Sequence, residues 1–286
     1  MKTNLSIRGL QVPPSIVLAR AAQDRRLTDC FNVTFEVWPN TERMQADIAS
    51  NLVDLCILPT NLSGSLYNEG LPLQLLCINV WGLLHVMSAE RTDNSWKSLV
   101  GCTVAIPLKG NMPDTIFSVL SSRHEIDCVV RYCDTYGQAA AALLSREVQF
   151  AVLPEPFASE IELRGAYRVL DLQEAWAGLN NGVPRYPQAG AVVLGRTTAA
   201  TVKLVVEVLE DALEWLVGSA DEAGLVGTSV LGIDASIITA SVNATRWQSL
   251  RASAARSELE RFYKILLTHN PQVLSLGLPD DNLYAI

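Results

Sequence analysis

Residues 46–70 read ADIASNLVDLCILPTNLSGSLYNEG, and residues 141–165 read AALLSREVQFAVLPEPFASEIELRG. At a fixed offset of 95 residues, Ala46 falls on Ala141, Ser50 on Ser145, Val53 on Val148, Leu58 on Leu153, Pro59 on Pro154 and Gly70 on Gly165. Each stretch takes a helical run into a short apolar strand that ends in Leu-Pro and opens another helix. A chain that builds this unit twice is expected to form two similar lobes, with a ligand place between them.

Outward from the repeat, strands and helices alternate. Residues 5–7 and the alternating 33–37 (VTFEV) read as strands, and Pro14 suits the first turn of a helix reaching about Gln23 because its missing amide costs nothing there. Asn40 or Thr41 caps a helix whose Met44, Ile48 and Leu52 recur at four-residue steps. The runs 53–58 and 73–78 are continuously apolar, as buried parallel strands are. The same grammar restarts after Leu83: strands over 103–106, 129–132 and 148–152, a helix from Asp114, and an alanine-rich helix capped by Asp134 or Thr135. After Tyr186 and Pro187 one strand (189–194) precedes a mostly helical remainder with apolar stripes at 202–216 and 259–267. This order implies α/β architecture, a parallel-rich mixed sheet in each of two lobes. The expected division is 1–82 plus 197–286 against 83–196, hinged at two crossings, one near Trp81 and Gly82 and one within 190–195.

Length and composition fit such a chain: 286 residues, 49% hydrophobic and 18% charged. A net charge of -8 argues against nucleic acid, whose phosphates need a basic footprint. No apolar stretch approaches the roughly 20 residues that cross a bilayer. The opening MKTNLSIRGLQVPPS has neither a long apolar segment nor a cleavage signature. Six cysteines lack any CxxC pair; four of them, Cys56, Cys77, Cys102 and Cys128, lie in or beside apolar runs and read as small buried hydrophobes, and with three histidines a zinc site is not expected. GxSxG, GxxxxGK[ST], HExxH and a helix-opening GxGxxG are all missing, so no catalytic residue and no cofactor is assigned.

In open parallel sheets, ligands sit beyond the carboxyl ends of strands, where helix starts present unpaired amides. That rule nominates the loops 8–15, 38–41, 59–61, 107–114, 133–137 and 154–157. Thr60 and Asn61 offer a hydroxyl and an amide at a helix start, with capping the competing role of Thr60. Glu155, held between two prolines, and Phe157 are the sharper candidates, although Glu155 also suits a helix dipole. Trp81, after Asn79, stands open between core and cleft wall. Lys109, Gly110 and Asn111 resemble an anion cradle, which Asp114 opposes. Gln188 and Trp176 enter on topology alone.

The segments VDLCILPTNLSGSLYNEG, WKSLVGCTVAIPLKGNMPD, FAVLPEPFASE and LERFYKILLTHNPQVLSLGLPDDNLY resemble the solute-binding proteins of bacterial ABC importers, in the branch that takes nitrate, sulfonates, taurine and thiamine pyrimidines. The resemblance implies a type II periplasmic-binding fold, a monomer closing on a small solute by hinge motion, a membrane permease as partner, and export, often as a lipoprotein. A chain never preceded by a leader would instead be cytoplasmic. Carried over by motif, ligand contacts fall to Gln11, Pro14, Ser15, Thr60, Asn61, Asn79, Trp81, Gly110, Asn111, Met112, Asp114, Glu155 and Phe157; Trp38, in a nominated loop, and Gln188, on topology, join them as candidate contacts, and no metal is expected. Few cations and several aromatics near these loops favour a largely neutral organic solute, aromatic or heterocyclic. A sulfonate or nitrate, or an enzyme of pyrimidine or menaquinone type on the same fold, are the alternatives.

Overall fold

A computed structural model describes residues 2–195 and 198–284. In chain order the elements are β1 (Thr3–Gly9), α1 (Pro14–Ala22), α2 (Arg25–Thr28), β2 (Phe31–Val37), α3 (Thr41–Ala49), β3 (Leu55–Pro59), α4 (Thr60–Asn68), β4 (Leu73–Val80) and β5 (Leu84–Ser88). There follow β6 (Thr103–Pro107), α5 (Met112–Arg123), β7 (Val129–Cys133), α6 (Tyr136–Leu144), β8 (Phe150–Pro154), α7 (Phe157–Leu163), β9 (Tyr167–Asp171) and α8 (Leu172–Trp176). The chain ends with β10 (Ala189–Leu194), α9 (Ala199–Gly218), α10 (Ala220–Leu231), α11 (Ala235–Ala244), β11 (Trp247–Arg251) and α12 (Ala252–His269).

Two compact units result. The first comprises Met1–Trp81, Pro187–Asn243 and Trp247–Ile286; the second comprises Gly82–Tyr186 and Ala244–Arg246. The expected border between 196 and 197 lies outside the described residues. The expected second crossing within 190–195 is corrected by the sheet itself: β10 lies inside the first unit, hydrogen-bonded on both edges, and the chain leaves the second unit after Tyr186. Gly190 makes that insertion possible. A Cβ there would stand 2.4 Å from the Cys77 carbonyl oxygen, closer than any side chain tolerates.

The first unit carries a six-stranded sheet in the order β11-β4-β10-β3-β1-β2, the second a five-stranded sheet in the order β7-β6-β8-β5-β9. Strands β1 to β4 run one way and β10 and β11 the other; in the second sheet only β5 is reversed. Both sheets are therefore mixed. The 95-residue repeat holds element by element. Helix α3 shifted by 95 is α6, and β3 shifted by 95 is β8, residue for residue. The left-handed residues after the helices also coincide, Asn51 with Arg146 and Gly70 with Gly165. Those left-handed turns explain why β3 and β8 begin two residues later than the apolar runs suggest: Val148 still closes onto the end of α6 through its amide to the Ala142 carbonyl.

Each unit has its own core. In the second, Met87, Ala105, Ala151 and Leu153 of the sheet pack on Ala139, Ala142 and Leu143 of α6 and on Ala158 and Ile161 of α7. In the first, Ile7, Leu55, Leu75, Leu209 and Tyr263 are fully buried. No single helix among the described residues is long and apolar enough to cross a membrane.

Candidate functional site

The register brings one set of loops together at one end of the six-stranded sheet. Ala189 at the start of β10 pairs with Pro59 at the end of β3 and with Val80 at the end of β4, and Trp247 at the start of β11 also faces Val80. Gln188, Thr60, Asn61 and Trp81 therefore share this edge. Backbone bonds lock them in place: the Gln188 amide donates to the Val80 carbonyl at 2.9 Å, and the Thr60 amide donates to the Gln188 carbonyl at 3.2 Å.

Within this edge, the side chains divide into committed and uncommitted groups. The Thr60 hydroxyl donates to the Pro187 carbonyl at 2.5 Å, while the Thr60 carbonyl accepts from the Tyr263 hydroxyl at 2.8 Å. Trp81 is buried with its indole N–H on the Gln248 carbonyl. Asn79 accepts the Ala191 amide through Oδ1 at 3.2 Å, and its Nδ2 has no partner among the described residues. Asn61 Oδ1 and Gln188 Oε1 are likewise buried and unpartnered among the described residues. Three buried amides with unused hydrogen-bonding capacity at one sheet edge are unusual, because burying such a group unbonded costs roughly 1–3 kcal/mol.

Other nominated residues of this unit are committed elsewhere. Gln11 is exposed and donates to the Leu231 carbonyl at 2.7 Å. Pro14 and Ser15 are buried in the first turn of α1; the Ser15 hydroxyl donates to the Leu10 carbonyl, and its amide and that of Ile16 are bonded to the Val12 and Pro13 carbonyls. This helix start thus has few amides left to offer. Trp38 is buried and its indole N–H donates to Asp47 at 2.8 Å. Burial works against the charge of Asp47, but the Trp38 N–H, Arg8 and Arg43 outweigh it and hold the carboxyl below its ordinary range.

In the second unit, Pro107, Cys133 and Pro154 end strands at the edge where β5 begins, since Leu84 faces Pro154. Asn111 precedes α5 without capping it, and Met112 is buried in the first turn. Asp114 accepts from the Gly110 amide at 2.8 Å and from the Tyr132 hydroxyl at 3.3 Å, closing the turn that carries Asn111. Lys109 lies over the Tyr132 ring, 5.0 Å from its centroid. Phe157 is half-buried against Tyr136, with ring centroids 5.2 Å apart. Trp176 is buried against Tyr186.

Glu155 is wholly buried. Its Oε2 accepts the Ser159 amide at 3.1 Å, capping its own helix, and its Oε1 lies 2.7 Å from Arg168 Nη1 and 3.7 Å from His85 Nε2. Burial pushes its carboxyl up, and Arg168 and Ser159 pull it back only in part. Burial, reinforced by the charge of Arg168, takes the His85 imidazole down to about 3, and neither ring nitrogen has a hydrogen-bond partner among the described residues. His85 and Arg168 were not nominated from the sequence. A single histidine inside the apolar run LLHVMS was the available signal.

Helix starts follow a pattern. Side chains of Asn40 and Thr135 cap α3 and α6, whereas α1, α4, α5 and α7 begin with no side-chain cap from their N-cap residues Pro13, Pro59, Asn111 and Pro156. Meanwhile two half-buried guanidiniums are neutralised: Arg8 by Asp47 and Glu36, and Arg168 by Glu155 and Glu162. Among the described residues, no group of three histidine, cysteine or carboxylate side chains is placed to hold a metal ion.

No family model and no curated protein matches the chain. Solved structures do. An ABC transporter protein from Parabacteroides distasonis superposes with a TM-score of 0.84 over 99% of both chains at 21% identity. The periplasmic aliphatic sulphonate binding protein SsuA from Escherichia coli superposes at 0.80, covering 100% of this chain and 98% of its own, at 15% identity. The desulfurization enzyme DSZB also superposes, at 0.67, 17% identity and coverage of 99% and 96%. At these identities the likeness is one of fold: the chain has the two-sheet α/β fold of periplasmic solute-binding proteins.

Proposed function

We propose that this protein is the extracytoplasmic solute-binding component of an ABC-type importer, taking a small, largely neutral organic solute and delivering it to a membrane permease. The observation that carries the reading is the end-to-end superposition on an ABC transporter protein and on a sulphonate-binding protein. The chemistry of the solute follows from the carboxyl-end loops. The uncommitted groups at the edge of the first unit are amides, which both donate and accept, and the half-buried cations Arg8 and Arg168 are already neutralised by carboxylates. A sulfonate accepts hydrogen bonds only and would leave the amide oxygens of Asn61 and Gln188 unsatisfied. A ring carrying both N–H groups and acceptors would satisfy them.

A calorimetric and thermal-shift screen of neutral heterocycles, aromatic amines, sulfonates and nitrate tests this. A ligand at 100 times its Kd stabilises the folded state by about 2.7 kcal/mol. No stabilisation across the panel contradicts binding, and stabilisation by sulfonates or nitrate alone contradicts the neutral-solute reading. The superposition on DSZB supports a second reading, an enzyme on the same fold. Mass spectrometry showing turnover of a bound compound would select it.

A further inference from the structure

We infer that Cys102 and Cys128 are a disulfide-forming pair, a modification site at the amino ends of β6 and β7. The six cysteines are all free and not alike: Cys56 and Cys77 are buried, Cys30 is exposed, and Cys102, Cys128 and Cys133 are half-buried. Strands β6 and β7 are parallel, with Thr103 opposite Val129 and Val104 opposite Val130. Side chains alternate along a strand, so the residues two positions before Val104 and Val130 point to the face those valines share. They are Cys102 and Cys128.

The pairing persists beyond the regular strands. The Gly101 amide donates to the Asp127 carbonyl and the Val129 amide donates to the Cys102 carbonyl, each at 2.8 Å, so the two bonds bracket the cysteines. Neighbouring strands lie about 4.8 Å apart, inside the roughly 4.4–6.8 Å that separates Cα atoms across a disulfide. The thiols also sense each other: burial pushes Cys128 up first, and Asp127 and Cys102 add to it.

No other cysteine is paired with either thiol by the β6–β7 register. Cys133 closes the far end of β7, opposite Pro107, about 16 Å along the strand from Cys128. Cys30, Cys56 and Cys77 belong to the other unit. With no third ligand placed to complete a metal set among the described residues, the two-electron oxidation is the chemistry this pair supports. Oxidised glutathione balances it. One thiolate attacks the glutathione disulfide and expels one glutathione thiolate. The second thiolate then attacks the mixed disulfide and expels another, so two protein thiols are oxidised while one oxidised glutathione becomes two thiols.

The chain equilibrated with oxidised glutathione, quenched with acid, unfolded, alkylated in denaturant and mapped by mass spectrometry tests the assignment. The expected result is loss of alkylation at two of the six cysteines, with the peptides bearing Cys102 and Cys128 joined and no glutathione retained. Cys102→Ser or Cys128→Ser removes the link, and Cys30→Ser leaves it. Alkylation of both cysteines under all conditions, a stable glutathione adduct on either, or a link to any other cysteine overturns the proposal.

Discussion

Oε1 of Glu155 lies 2.7 Å from Nη1 of Arg168, and the carboxylate of that pair has no solvent exposure at all. The pair ties β9 to the junction between β8 and α7, and Arg168 adds a bond from Nη2 to the Ser159 hydroxyl at 3.0 Å. Removing the cation strands a buried charge, which costs about 3–5 kcal/mol. Arg168→Met is expected to lower stability by about that much in urea unfolding, and Glu155→Gln combined with it to recover a large part. Equal loss in the single and double variants would refute the pairing.

His85 makes stability pH-dependent. In the unfolded chain its imidazole charges below its ordinary value of 6.5, while burial in the fold keeps it neutral down to about 3. Over that window the unfolded state binds more protons, so stability present above 6.5 is lost as the pH falls. Glu155 acts in the opposite sense just above the ordinary carboxyl value of 4.5, because its folded form is more readily protonated. Urea titrations of wild type and His85→Gln from pH 8 to 5 are expected to diverge, with the wild type steeper. Parallel curves would contradict the buried neutral imidazole.

Gly82 opens the second unit with φ at +150°, and a Cβ there would fall 1.7 Å from Cγ of Gln173. Gln173 Oε1 accepts from both the Leu84 amide and the Tyr186 hydroxyl at 2.9 Å, so it has no freedom to withdraw. Gly82→Ala is expected to cost about 2–4 kcal/mol through strain and displaced hydrogen bonds. A thermal midpoint unchanged from wild type would show that the junction adapts.

Trp38 donates its indole N–H to Asp47, inside the group that also holds Arg8 and Arg43. Trp38→Phe is expected to lower the thermal midpoint by about 3 °C and leave solute binding unchanged. Loss of binding without loss of stability would return Trp38 to the ligand site.

The duplicated core was legible because helix caps, Leu-Pro strand ends and apolar runs are local signals. Leu-Pro at residues 58–59 and 153–154 marked the ends of β3 and β8 at the right positions. Less legible were β5, β9 and β11, whose pairing is set by distant partners; Trp247 and Arg251 of β11 look like a polar helix approach until β4 is beside them. The division of the chain failed at β10 for the same reason, since a strand inserted between β3 and β4 has no local mark beyond Gly190. The candidate residues divide likewise. Thr60, Asn61, Asn79 and Gln188 share one sheet edge because the strand-end rule is topological. The direction of Glu155 depends on Arg168 and His85, from other strands, which spacing alone does not reveal.

Solute capture by the unpartnered amides is tested most directly at Gln188, whose buried Oε1 finds no partner among the described residues. Gln188→Met should raise the unliganded thermal midpoint slightly, because a buried unbonded polar atom is removed. It should also weaken the solute identified by calorimetry about tenfold, the loss of one hydrogen bond of roughly 1.4 kcal/mol. A variant that is less stable without solute and binds it as tightly as wild type would contradict the account.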